Sequence, residues 1–156
     1  MKIVLFIFGG SGTALEMLET VQDYFVDEFD KTLLVIPDKE KLDNCYEYIT
    51  DSQVKSCAKN NKCSYIIGFT DQKARTQIQA LMKSLSINPI NIIHPLSKIF
   101  NSAKVGDGNY IAANAIISRN AKIGDHCIIN FNSTIGHDSF VDNNCIILPG
   151  AIVGGN

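Results

Sequence analysis

Three histidines, at 94, 126 and 137, stand in different settings. His137 follows Ser133-Thr134-Ile135-Gly136 and is followed directly by Asp138. Imidazole is the side chain whose proton affinity suits base work near neutral pH. A carboxylate beside it can hold one tautomer and stabilise the imidazolium that forms. The plainer alternative for His137 is a solvated surface residue. His94, in Ile92-Ile93-His94-Pro95, reads as a positioned junction residue, and His126, after Gly124-Asp125, as a turn residue. A second place for chemistry is Gly9-Gly10-Ser11-Gly12-Thr13, between an apolar run and an amphipathic one. Backbone N–H groups there could face a phosphate at a helix N-terminus. The full Gly-x-Gly-x-x-Gly spacing is absent, so the turn does not identify a nucleotide site by itself. No serine stands in a nucleophile-elbow context.

Composition bounds what surrounds these groups. With 156 residues, 46% hydrophobic and 19% charged, the chain can bury the core of one ordinary domain or two small ones. A net charge of −2 and the lack of a Lys/Arg-rich run argue against a nucleic-acid partner. Five cysteines, at 45, 57, 63, 127 and 145, are odd in number and form no Cys-x-x-Cys pair. The expectation is small buried hydrophobes, with no disulfide framework and no metal site. The apolar run within 1–10 is too short for a signal peptide, and no stretch reaches the length of a membrane span. A soluble cytoplasmic protein, without a membrane partner, is expected.

The first part of the chain, residues 1–92, alternates strand and helix patterns. Lys2 to Phe8 reads as a buried strand, and Ala14 to Phe25 has helix spacing through Leu15, Leu18, Val21 and Phe25. Lys31 to Ile36 is a second strand, closed by Pro37-Asp38, and Ser64 to Gly68 a third. Asp71 to Leu85 is a second helix, with Ile78, Leu81, Met82 and Leu85 on one face, and Pro89 to Ile93 begins an exit strand. Asn44 to Ile49 and Asp51 to Lys59 are ambiguous. This order predicts an α/β domain with a small parallel sheet.

From residue 93 onward the period is six. Ile99, Val105, Ile111, Ile117, Ile123, Ile129, Ile135, Val141, Ile147 and Val153 recur without a gap. A second phase is mostly small: Ala103, Asn109, Ala115, Ala121, Cys127, Ser133, Ser139, Cys145, Ala151. A third holds Gly108, Asn114, Asn120, His126, Asn132, Asp138, Asn144 and Gly150, nearly all tolerant of positive φ. A period of six is no helix face; it repeats a short strand and a corner together.

This pattern resembles the hexapeptide-repeat acyltransferase superfamily, which implies that 93–156 is a left-handed parallel β-helix in which residues 18 apart stack. A flat sheet with the same apolar count is the alternative. The small α/β domain, the Ile-His-Pro junction and the prism together look like the nucleotide-sugar acetyltransferases. These include bacillosamine- and perosamine-type sugar N-acetyltransferases and sialic-acid O-acetyltransferase-like proteins. The resemblance implies acetyl transfer from acetyl-CoA to the amino group of a UDP- or dTDP-linked deoxyamino sugar, in a homotrimer and without metal. His137 would be the general base, Asp138 its orienting carboxylate, and Asn130 a sugar-binding residue. The Gly155 backbone N–H would contact the thioester oxygen of acetyl-CoA. Gly10, Ser11, Gly12 and Thr13, with Asp38 and Gly68, would hold the nucleotide. Thr13 stands where the family's turn usually has histidine. Family members also continue for several coils past the position of Asn156, so the β-helix is expected to be incomplete. A truncated, non-catalytic nucleotide-sugar-binding trimer, or an O-acetyltransferase acting on a sugar hydroxyl, is the competing expectation. A dinucleotide-dependent dehydrogenase is set aside, because the first part of the chain offers only about three to four strands, too few for a dinucleotide crevice.

Overall fold

A computed structural model of the chain describes residues 3–156. The chain divides into two compact units, Met1–Pro89 and Ile90–Asn156.

The first unit is built on a five-stranded sheet. Its strands are β1 (Ile3–Phe8), β2 (Lys31–Ile36), β3 (Tyr48–Thr50), β4 (Lys62–Ile67) and β5 (Asn88–Pro89). They lie in the order β3-β2-β1-β4-β5, and every pairing is parallel. Its helices are α1 (Thr13–Tyr24), α2 (Val54–Lys59) and α3 (Gln72–Ser84). Val4 to Phe8 are buried without interruption, the mark of a parallel strand covered on both faces. Val4, Phe6, Phe8, Leu33, Val35, Tyr65 and Ile67 share one cluster with Val54 of α2 and Met82 of α3. The alternate residues Leu5, Ile7, Leu34, Ile36 and Ile66 are buried on the other face. Helix α1 lies against β1 and β2, burying Ala14, Met17, Leu18 and Val21 at helix spacing. Asp71 caps α3: its Oδ1 accepts the Ala74 N–H at 2.7 Å.

The expected strands and helices of this unit are present within a few residues, although Lys2 lies outside the described residues. The ambiguous stretch 44–59 resolves into β3, a 3-10 turn at Asp51–Gln53 and α2. A three-residue edge strand and a six-residue helix are too short to show a period. The exit strand expected from Pro89 to Ile93 is in fact two strands. Asn88–Pro89 pairs with β4, whereas Ile92–Ile93 pairs with Tyr110–Ile111 in the second unit. Ile93 is in phase with the six-residue ladder, which therefore starts one repeat before Ile99.

The second unit is a left-handed parallel β-helix of two-residue strands. One wall stacks Ile92–Ile93, Tyr110–Ile111, Ile128–Ile129 and Ile146–Ile147. The next stacks Lys98–Ile99, Ile116–Ile117, Thr134–Ile135 and Ile152–Val153. The third stacks Lys104–Val105, Lys122–Ile123 and Phe140–Val141. Every partner is 18 residues away, and the second residue of each strand points inward. Ile111, Ile117, Ile123, Ile129, Ile135 and Val141 form the buried core with Ala115, Ala121 and Cys127. Amides of one coil donate to carbonyls of the next, as in Lys98 N–H to Ala115 O at 2.8 Å and Ile116 N–H to Ser133 O at 2.9 Å. Corners at Gly108, Asn114, Asn120, His126, Asn132, Asp138, Asn144 and Gly150 all have φ between 56° and 74°. This left-handed region explains why Gly, Asn and Asp dominate that phase.

The five cysteines are unpaired by disulfides. Cys127 is buried as expected, but Cys57, Cys63 and Cys145 are only half-buried, and Cys45 is exposed in an irregular segment before β3.

Ile117 is fully buried and Lys122 exposed. Ile117→Ala should therefore destabilise the chain by about 2–5 kcal/mol, while Lys122→Ala stays within about 0.5 kcal/mol. Urea unfolding followed by circular dichroism is the measurement, and equal midpoints for the two variants would contradict this core.

Candidate functional site

The β-helix presents a histidine–carboxylate pair at one corner. Ile135 points into the core, Gly136 follows, and the chain turns at Asp138 with φ 61°. Gly136 is forced by the coil above: a Cβ there would lie 2.5 Å from the Gly155 nitrogen. The His137 side chain is 55% exposed, and its Nδ1 is 2.8 Å from Asp138 Oδ2. The other carboxylate oxygen, Oδ1, accepts the Asn120 side-chain amide at 2.8 Å. Arg119 Nη2 stands farther off, 3.7 Å from Oδ2. Asn120's hydrogen bond first, and His137's second, hold the Asp138 carboxyl below the usual carboxylate range. With Nδ1–H donated to Asp138, the lone pair of Nε2 is left for a proton from outside. On that side lies Gly155, one coil up: a Cβ on it would be 2.9 Å from Nε2 and 3.0 Å from the His137 carbonyl oxygen. The Asn156 N–H donates to that same carbonyl at 3.2 Å.

His137, Asp138 and Gly155 are thus brought together. Asn130 is not joined to them. Its Oδ1 accepts the Phe131 N–H at 3.1 Å, and its carbonyl accepts the Ser133 hydroxyl at 2.6 Å. Asn120 and Arg119, which touch Asp138, were not singled out by sequence. They stand 18 residues below Asp138 and His137, so the coil length was the signal that identifies them. His94 is buried at the start of the β-helix, where its Nδ1 accepts the Leu96 N–H at 3.1 Å. His126 occupies a corner with φ 57°.

The first unit carries a cleft of about 520 Å³ at the carboxyl ends of β1, β2 and β4. The chain leaves β1 toward β2 on one side and returns to β4 on the other, so this is the switch point of the sheet. Gly10 and Ser11 line the cleft, with Phe8, Val35, Phe69 and Ile78 supplying apolar surface. Gly12 is the N-cap of α1, with φ 48° and no side-chain cap, and Thr13 is the first helical residue. Gly68 lies behind the lining, because a Cβ there would sit 2.6 Å from the Ala14 Cα. Asp38 is tied up at the edge: its Oδ1 accepts the Ser52 N–H at 3.2 Å. Hydrogen bonds from Thr50 and then Ser52 hold its carboxyl low. Sequence reasoning missed Glu40, Asp51 and Gln77 as lining residues. Burial first, then the charges of Asp38 and Glu40, push the Asp51 carboxyl up. These residues come from loops and a helix whose approach to β1 no local pattern records.

Among the described residues, no group of three or more His, Cys, Asp or Glu side chains is placed to hold a metal. None of their helices is long and apolar enough to cross a membrane.

Residues 102–137 match the family model described as bacterial transferase hexapeptide (six repeats). The second unit is a hexapeptide-repeat β-helix. No curated protein matches the chain by sequence. Solved structures do resemble it. One is a histidine-to-asparagine variant of perosamine N-acetyltransferase from Caulobacter crescentus, in complex with CoA and GDP-perosamine. It is 20% identical, with 97% of this chain and 71% of that one covered at a TM-score of 0.86. The acetyltransferase domain of PglB from Neisseria gonorrhoeae, in complex with acetyl coenzyme A, is 20% identical over 96% of this chain and 72% of that one, TM-score 0.82. WeeI from Acinetobacter baumannii is 18% identical over 99% and 73%, TM-score 0.89. At such identity the likeness establishes the fold.

The contact of Gly68 with the α1 backbone gives a test of the first unit. Gly68→Ala should cost about 1–3 kcal/mol, since backbone rather than a side-chain tip must move. Gly154→Ala, with open space around it, should be silent. Thermal melting of the two variants is the check, and an unchanged Gly68→Ala melt would refute the close approach.

Proposed function

We propose that the chain transfers acetyl from acetyl-CoA to the amino group of a nucleotide-linked deoxyamino sugar. The observation that carries this is the His137–Asp138 pair with its free ring nitrogen toward Gly155. The likeness to perosamine N-acetyltransferase and to the PglB acetyltransferase domain supports the same reaction. The sugar nitrogen attacks the thioester carbon and forms the C–N bond, while His137 Nε2 removes a proton from it. The Gly155 N–H holds the oxygen of the tetrahedral intermediate. The C–S bond then breaks and coenzyme A leaves as the thiol, taking the proton from the imidazolium. Asp138 stabilises that imidazolium in between. No covalent acyl-enzyme is needed.

The nucleotide occupies the cleft of the first unit, at the α1 N-terminus with Gly10 and Ser11. Gly12, Thr13, Asp38 and Gly68 shape that turn and its neighbours, and Asn130 belongs to the sugar side. The carrier is broader than the UDP or dTDP expected from sequence. The Caulobacter relative was solved with GDP-perosamine, so GDP-linked sugars join the candidates.

A coupled assay of free thiol, with UDP-, dTDP- and GDP-linked 4-amino sugars, tests the reaction. His137→Ala should slow turnover about 10²–10⁴-fold, the usual worth of a positioned base. In the same assay Gly155→Ala should lower the rate, because its methyl group would displace the imidazole. An unchanged rate in His137→Ala would remove the base assignment.

We further propose a homotrimer. Ile116, Phe140, Leu148 and Ile152 are large apolar residues exposed on the second unit, as surfaces covered by another copy would be. Sedimentation velocity should give three times the mass of the 17.1 kDa chain. A monomer at micromolar concentration would overturn this.

A further inference from the structure

Asp138 is held from the coil below. The corners at Ser102, Asn120 and Asp138 are stacked at intervals of 18 residues. The Asn120 N–H donates to the Ser102 hydroxyl at 3.1 Å, and its side-chain amide donates to Asp138 Oδ1 at 2.8 Å. The Asp138 N–H donates in turn to the Arg119 carbonyl at 3.0 Å. Main chain and side chain of the same corner therefore grip Asp138 at two points.

The turn admits asparagine at 120 without singling it out. Its φ of 56° is one that glycine, asparagine and aspartate adopt most readily, and His126 holds 57° at a corner of the same phase. Of glycine, asparagine and aspartate, only asparagine brings a donor to a carboxylate 18 residues above. Aspartate would bring a second negative charge, and glycine nothing. A carboxylate tied by one oxygen cannot turn freely about its Cβ–Cγ bond, so the other oxygen keeps a fixed aim. That oxygen, Oδ2, is the one 2.8 Å from His137 Nδ1. Which ring nitrogen carries the proton in neutral imidazole is set by the hydrogen bond at the other.

We infer that Asn120 is a positioning residue for His137: its amide aims Asp138, which takes Nδ1–H and leaves the Nε2 lone pair free. This role rests on His137 acting as the base. Arg119 is the other charged group facing Asp138. At 3.7 Å and with its side chain 64% exposed, it adds screened attraction without fixing an angle.

Nitrogen-15 NMR of the ring nitrogens, in the full chain and above the imidazole titration, reads the tautomer with no substrate present. In the unsubstituted chain His137 should be mainly Nδ1–H. Asn120→Gly keeps the turn and removes the donor, and should lose that majority. Asn120→Asp keeps the turn and repels Asp138, and should lose it as well. In turnover, Asn120→Gly should lower kcat about tenfold, the worth of one hydrogen bond to a charged group, with KM for the nucleotide sugar little changed. A wild-type tautomer ratio in both variants, or an Nε2–H majority in the unsubstituted chain, would overturn the role. Should the unsubstituted chain transfer no acetyl to any sugar offered, the acetyl-transfer reading fails, and the tautomer ratio still decides what Asn120 does.

Discussion

The second unit depends on one constraint: each coil must take 18 residues. A two-residue strand has no stability of its own, and its amides find partners only in the coils above and below. The ladder closes only if every third corner falls over the same point. Inward aliphatic residues fill the interior, and left-handed corners make each bend without clash. One inserted residue would turn the aliphatic set outward and leave the ladder out of step. Lateral position is therefore quantised, and a side chain at a corner knows its neighbours by arithmetic. His137 lies above Arg119 and below Gly155, and Asp138 lies above Asn120.

The first unit places its groups by a different rule. Its cleft exists because the sheet is wound both ways from β1, which leaves a crevice at the strand ends. Glycines at 68 and 136 serve the same purpose in the two units, since each lets one backbone lie against another with no room for a Cβ. In the first unit that contact seats the start of α1 against the end of β4. In the second it seats one coil upon the next.

The legible part of the structure was the part governed by repetition. The aliphatic ladder, the small phase and the corner phase follow from a six-residue period, and the observed φ values fall on the corner residues one by one. The pairing of His137 with Asp138 was legible because the two are adjacent in the chain. Short, non-periodic pieces were not. Three residues of β3 carry no pattern, and the split between Asn88–Pro89 and Ile92–Ile93 is a choice between two sheets that an extended segment does not announce. Glu40, Asp51 and Gln77 reach the cleft through nonlocal packing. Asn120 was hidden differently: its residue type satisfied the corner, so its second use, as a donor, drew no notice.

That second use bears on how an exposed histidine pair keeps its geometry. The His137 and Asp138 side chains are 55% and 37% exposed. In water, attraction between such groups is screened, and a surface pair by itself contributes little. Two flexible side chains at adjacent positions would sample many geometries. Here the Asp138 carboxyl is held low by the hydrogen bond from Asn120 first and by the one shared with His137 second. The coil beneath the pair adds two contacts to Asp138, one from the Asn120 amide and one to the Arg119 carbonyl. A β-helix wall suits that arrangement, because its corners recur in fixed columns and each column can supply a second contact to the one above. An open, water-accessible histidine then needs no deep pocket to keep its orientation.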